Sequence, residues 1–450
     1  MKVGFITCVH PIYNLPSVAR HREEAAAGLR AAGCQVAVSA LARNRDDIPC
    51  IVEEVKSAEV DLLVFFFCTW IAEEVTLSIA QELKEIPLLL WALPYFDLSI
   101  PMPSPMTGIT STGCNLQRAG RIFLHRIDAV TPETLQFTAR LARLAAVARR
   151  LSRSRFGIFG AACPGMLDTS CDDAALQQAL GADVQRFELD TLLQAAEASS
   201  QEEALELARK LQSQAGSCEV PLETLAEQYR LFLGMSDLLR EHRLDGFSVR
   251  CWPELRDRRK TTICLTLTEM ADRGIASACE ADPTSLVTVF LLQQLSGQAA
   301  CTLEITAYLR ETAALQMAHC GSAALSLAAH PSCAHIRRHM RTGTGALLEL
   351  ALKPGPITLA KLMRPVEGRF QLFLARGEVI PTPDGTRGSV ATIRVEPSMD
   401  AFLDAMLQHG VEHHLVLVYG DWIEDLRQIA RLAGLATLEP PGAASLPRAT

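Results

Sequence analysis

From Val3 onward the chain alternates short, almost unbroken apolar runs with longer helical patterns, and this rhythm restricts the fold more than any other feature. Val3 to Cys8 reads as a strand, Pro16 to Ala32 as a helix stopped by Gly33, and Gln35 to Ser39 as a second strand. A helix around Ile48 to Ala58 leads into the strand Asp61 to Cys68; a helix from Ile71 to Leu83 and the strand Pro87 to Ala92 follow. Strands apolar on both faces belong in a parallel sheet covered by helices on each side. Ligands of such sheets gather past the carboxyl ends of the strands. Here those ends are Cys8-Val9-His10-Pro11, Cys68-Thr69-Trp70 and the Pro-rich loop from Leu93 to Pro105. No Gly-x-Gly-x-x-Gly follows any strand, so a dinucleotide cofactor is not expected.

A long Ala/Leu/Arg helix, Thr131 to Ser152, bridges to a second round of the same alternation, with strands at Phe156 to Phe159, Val184 to Glu188 and Gly246 to Cys251. Beyond residue 340 the texture changes to short strands between Gly and Pro turns: Ala346 to Leu352, Pro356 to Met363, Arg369 to Ala375, Glu378 to Ile380 and Val390 to Val395. The helix Ser398 to His409, the strand Leu415 to Tyr419 and the helix Asp421 to Ala433 close the chain. The expected fold class is therefore α/β, with two doubly wound parallel-sheet domains (1–152 and 153–340), a C-terminal β-barrel-like domain (341–440) and a tail (441–450). A length of 450 residues suits such a division into about two or three domains.

The stretch that carries chemistry is Ala278-Cys279-Glu280-Ala281-Asp282-Pro283-Thr284. A short apolar strand runs into two carboxylates, and Asp282-Pro283 has the signature of an N-cap followed by the first residue of a helix. Three further positions accompany it: Glu304 on the next apolar segment, His319, and the pair His413-His414. Carboxylate and imidazole together suit a divalent ion such as Mn²⁺, Co²⁺ or Mg²⁺. Each residue also has a plain structural reading: a strand-end glutamate as a capping or salt-bridge group, a histidine after an apolar run as a satisfied core residue. Strand alternation points Cys279 and Cys320 away from the neighbouring candidates, so they are not counted as ligands. Read alone, these residues define a candidate metal site and no more.

Composition narrows the alternatives. A formal net charge of −8 without a long basic block disfavours nucleic acid as a partner. No apolar run reaches the roughly 18 residues that a membrane span requires. The opening Met1-Lys2-Val3-Gly4-Phe5-Ile6 reads as a core strand and not as a signal peptide. The 14 cysteines, none in a Cys-x-x-Cys pair, read as small buried hydrophobes, so a cytoplasmic protein is expected.

The block Ala278 to Asp282, the position of Glu304 twenty-four residues beyond Glu280, and the string Gly321-Ser322-Ala323-Ala324-Leu325 resemble L-fucose isomerase. The fifteen-residue step from Glu304 to His319 and the His413-His414 pair resemble the related L-arabinose isomerase. The resemblance implies a metal-dependent aldose–ketose isomerase of a monosaccharide, with Mn²⁺ (or Co²⁺ or Mg²⁺) held by Glu280, Glu304, His414 and His319. Glu280 and Glu304 would double as the proton-transferring acids; His413 is the one-residue alternative to His414. Trp70 matches an aromatic substrate wall and Arg22 loosely matches a substrate-contacting arginine; Arg250 and Trp252, in a loop that departs from the fucose pattern, follow a strand and are read as contacts to a substrate hydroxyl or anionic group. A homo-oligomer, trimer or hexamer, is implied as well. A sugar-binding protein of the same fold, or a lyase or epimerase using the same chemistry, are the alternatives.

Overall fold

The computed structural model describes residues 1–13, 16–94, 104–366, 368–383 and 387–442. The chain divides into two compact units, one of Met1–Arg150 with Arg431–Gly434, the other of Leu151–Ala430 with the residues from Leu435. The tail from 443 and most of the Pro-rich loop lie outside the described residues.

In the first unit five parallel strands stand in the order Gln35–Ala42, Lys2–Cys8, Leu62–Phe67, Leu88–Ala92, Leu124–Ile127. Strand Leu62–Phe67 shows why both faces are covered. Leu63, Phe65 and Phe67 enter one apolar cluster, while Leu62, Val64 and Phe66 enter the other. Side chains of a strand alternate between faces, so an all-apolar strand needs packing on each side. The fifth strand was not evident from sequence because its run, Leu-His-Arg-Ile, is half exposed and carries two polar groups. The strand order reverses between Lys2–Cys8 and Leu62–Phe67. At that point the backbone N–H of His10 donates to Thr69 Oγ1 (3.0 Å), and the His10 and Trp70 rings stack 5.0 Å apart.

The second unit contains a four-stranded parallel sheet in the order Ala276–Cys279, Gly246–Val249, Arg155–Phe159, Asp183–Phe187. It also contains a ten-stranded mixed sheet. That sheet draws in strands well before residue 341, namely Cys301–Leu309 and Ala314–His319. Six of its strands are linked by antiparallel pairings in a closed ring: Gly355–Val366, Leu415–Tyr419, Cys301–Leu309, Ala314–His319, Ser389–Val395, Arg369–Ile380 and back to the first. Arg369–Ile380 is one strand where the sequence suggested two. Gly377, taken as a break, is a close-approach residue: a Cβ there would meet the Arg394 carbonyl oxygen at 2.8 Å. No helix of the described residues is long and apolar enough to cross a membrane.

The helix Pro283–Ser296 is buried on nearly all sides, which is why its sequence shows no polar stripe. Its N-terminus carries the site described below.

One buried histidine outside the helix makes a stability prediction. His339 is 5% exposed, and its Nδ1 accepts the backbone N–H of Thr342 at 3.2 Å. Burial, helped by the Arg341 charge, pushes its pKa down to about 4 from the ordinary 6.5. Above pH 6.5 folded and unfolded chains are equally neutral at this residue. Between 6.5 and 4 the unfolded chain takes up the proton first, so stability drains as pH falls. Thermal unfolding midpoints measured from pH 7 to pH 4.5 should drop more steeply in the parent chain than in His339→Gln; parallel slopes would contradict the assignment.

Candidate metal centre

The sheet strand Ala276–Cys279 ends at Glu280 and Ala281, both left-handed at φ 66° and 54°. Two successive non-glycine residues in this region cost roughly 1–3 kcal/mol each and need fixing from outside. Ser248, fully buried on the neighbouring strand, supplies the fixing. Its Oγ donates toward the carbonyls of Ala278 and Cys279 (3.1 Å each) and accepts the Asp282 N–H (3.0 Å).

Asp282 is the N-cap expected from sequence: its Oδ1 accepts the Ser285 N–H and the Thr284 hydroxyl, each at 2.9 Å. It does more than cap. Oδ2 receives Lys361 Nζ at 3.0 Å and the Ser285 hydroxyl at 2.5 Å, and lies 3.0 Å from His414 Nδ1. Asp282 and Lys361 are both fully buried. Burial alone would raise the Asp282 carboxyl, but the Lys361 ammonium and the His414 ring hold it well below the usual carboxylate range.

With Nδ1 directed at Asp282, His414 presents Nε2 to Glu280 Oε2 at 3.2 Å. Burial would lower the His414 pKa, but hydrogen bonding to Asp282 and Glu280 carries it up to about 9. Glu280, itself buried, has its pKa lowered: desolvation opposes the shift, and the neighbouring His414, His319 and His413 outweigh it. His413 sits beside them with its ring 4.1 Å from that of His414. Its Nδ1 lies 2.6 Å from Asp168 Oδ2, which also accepts the His413 N–H. His319 completes the cluster 5.4 Å from the His414 ring; burial pushes its pKa down to about 4, keeping the imidazole neutral at pH 7.

Two overlapping donor groups result, each with ligand atoms mutually within 4.8 Å: Glu280 with His413 and His414, and Glu280 with Cys279 and His319. Glu280 Oε2 and His414 Nε2 are buried, face one another at 3.2 Å, and have no partner besides each other. A cation between them would satisfy both, so the residues fit a divalent ion.

Of the residues read from sequence, the structure gathers Glu280, His319, His413 and His414. Glu304 belongs to neither donor group: its Oε1 accepts Arg341 Nη2 at 2.9 Å, although its charge reaches His319 and its strand partner is Ala318. Cys279 corrects the sequence reading, because the left-handed turn at Glu280 breaks the alternation that pointed its thiol elsewhere. Arg250 is engaged with Glu254 (Nε to Oε2, 2.8 Å) and the Ala162 carbonyl. Trp252, 40% exposed, lies under the Arg256 guanidinium. Trp70 and Arg22 belong to the first unit, where Trp70 stacks on His10 and Arg22 donates to the Ser39 carbonyl. Lys361, Asp168 and Ser248 carried no local signal in the sequence.

An α/β chain with a buried carboxylate–imidazole cluster at strand ends has the makings of a cation-assisted enzyme of small polar substrates. Residues 315–439 match the family model described as L-fucose isomerase, C-terminal domain. Over 89% of its length the chain is similar to a sulfoquinovose isomerase of Alkalicoccus urumqiensis, 25% identical across 90% of that protein. It is 22% identical to one of Priestia megaterium over the same shares, and 26% identical to one of a Clostridium species over 58% of this chain and 59% of that one. The resemblance read from the sequence is thus borne out: the C-terminal part matches the L-fucose isomerase model, and nine-tenths of the chain is similar to sugar isomerases.

Proposed function

We propose that this protein is a metal-dependent aldose–ketose isomerase whose substrate is sulfoquinovose or a closely similar sugar. That it is an isomerase of a sugar is supported by the curated relatives, all sulfoquinovose isomerases. The observation that carries the metal-dependent reading is the buried pair of Glu280 Oε2 and His414 Nε2, which face one another and have no other partner.

Glu280 and His414, with His319 and Glu304 beside them, would hold Mn²⁺ (or Co²⁺ or Mg²⁺), which would supply Lewis-acid stabilisation of the charge that develops on oxygen. The chain's own groups do the rest. Asp282 fixes the His414 ring, leaving Nε2 turned to the site. Glu280, kept ionised, is a proton acceptor at Oε2. Glu304, anchored through Oε1 to Arg341, offers Oε2 as the second group on which the proton can rest between C1 and C2 of the enediol. Arg250 and Trp252, just past the strand Gly246–Val249, are assigned to a substrate hydroxyl or anionic group, and Trp70 and Arg22, on the strength of the resemblance, to substrate contact in a homo-oligomer, trimer or hexamer.

The test incubates the protein with sulfoquinovose, L-fucose and L-arabinose, each with Mn²⁺, in deuterated water, and reads conversion and C2 proton exchange by NMR. Exchange with the first sugar that stops on chelation is expected; no exchange with any sugar, or none lost on chelation, would sink the proposal. Glu304→Gln should lower kcat about a hundred- to ten-thousandfold with KM little changed, since general acid–base groups contribute about that much. A kcat within a few-fold of the parent would remove Glu304 from the mechanism.

A further inference from the structure

Beside the centre lies a thiol pair that the isomerase chemistry does not use. Cys279 Sγ stands 3.3 Å from Cys251 Sγ. The parallel pairing aligns Cys279 with Val249, which sets Cys251 two residues past the neighbouring strand's end. Cys279 is buried, whereas Cys251 is half-buried and open to small solutes. The Cys279 sulfur is also within 4.8 Å of the Glu280 and His319 ligand atoms. Cys163, Cys264 and Cys320 surround the same pair closely enough to interact with Cys251.

We propose that Cys251 and Cys279 form a reversible oxidation site, closed to a disulfide by a peroxide, and that closing it switches off the isomerase. The activity half of this rests on the proposed function; the bond itself does not. The steps balance with hydrogen peroxide as oxidant. The Cys251 sulfur attacks one peroxide oxygen, the O–O bond breaks, and the products are a sulfenic acid and one water. The Cys279 sulfur then displaces the hydroxyl from Cys251, its thiol proton leaving with it as a second water, and the S–S bond forms. Two thiols have lost two electrons, both taken by the peroxide.

The consequence follows from position. Closing 3.3 Å to a bond of about 2.05 Å brings the two sulfurs together by over an ångström, a movement in which the Cys279 side chain shares. The next residue is Glu280, in a left-handed conformation with the preceding carbonyls pinned by Ser248, so the backbone has little slack to absorb the shift. The displacement is passed to the Glu280 carboxylate, and misplacements of this size cost about a hundredfold in rate.

The full-length protein is exposed to hydrogen peroxide, its remaining thiols are alkylated, and its peptides are mapped by mass spectrometry beside an isomerase assay. The expected result is a Cys251–Cys279 linked peptide, a fall in activity of about a hundredfold, and recovery with dithiothreitol. Cys251→Ser, and Cys251→Ala as a second variant, should keep their activity through the same exposure. Absence of the linked peptide, a link that leaves activity intact, or equal inactivation of both variants would overturn the proposal. An untreated enzyme that isomerises no sugar would fault the functional reading alone, because the linked peptide is read by mass.

Discussion

Glu280→Gln should abolish isomerisation, lowering kcat by about a thousandfold or more, while far-ultraviolet circular dichroism stays that of the parent. The substitution keeps the shape of the side chain and removes its charge. Three consequences follow at once. The only carboxylate shared by the two donor groups is lost, so bound metal measured by plasma mass spectrometry should fall as well. His414 loses one of the two carboxylates that raise its pKa, which should move down. The left-handed backbone is unaffected, because Ser248 and Asp282 hold it. Activity within about tenfold of the parent would show that Glu280 is a structural strand end.

Asp282→Ala should be the most destabilising single change near the site, costing about 3–5 kcal/mol in urea unfolding. Lys361 and His414 are both buried and share Asp282 Oδ2, so truncation leaves the buried Lys361 ammonium without its counter-charge and His414 with Glu280 alone. Loss of the helix cap at Ser285 adds about 1 kcal/mol. Removing the stranded charge in turn, with Asp282→Ala/Lys361→Met, should recover part of the loss. A cost under about 1 kcal/mol, or no recovery in the double variant, would mean that the ammonium reaches water some other way.

What the sequence disclosed about this molecule was mostly local. The central parallel strands of the first unit were visible because both of their faces are apolar, and Asp282-Pro283 announced a helix start through capping chemistry that spans three residues. Glu280, His319 and the histidine pair were singled out by type and spacing, and the structure brings them together. Distant pairings were hidden. Lys361, in a strand reading Thr-Leu-Ala-Lys-Leu-Met, looks like a solvent-facing lysine, yet its charge is met by an aspartate 79 residues earlier. Asp168, 245 residues before His413, sits in a loop whose sequence has no periodicity to locate it. Cys279 was misdirected by a sound rule, strand alternation, that fails where two residues take positive φ. Glu304 was identified as an acid of interest, but its partner Arg341 lies in a turn that sequence does not orient.

The closed ring of strand pairings has one more consequence. Glu304 and His319 lie on strands that each have a hydrogen-bonded neighbour on both sides, and His414 immediately precedes another such strand. A strand without a free edge cannot fray from its flank, nor can it recruit a strand from another chain. These residues can therefore part company only when the whole ring opens. The segment that brings Asp168 to His413 is bound by no such closure, so local opening of the cluster short of global unfolding starts on that side.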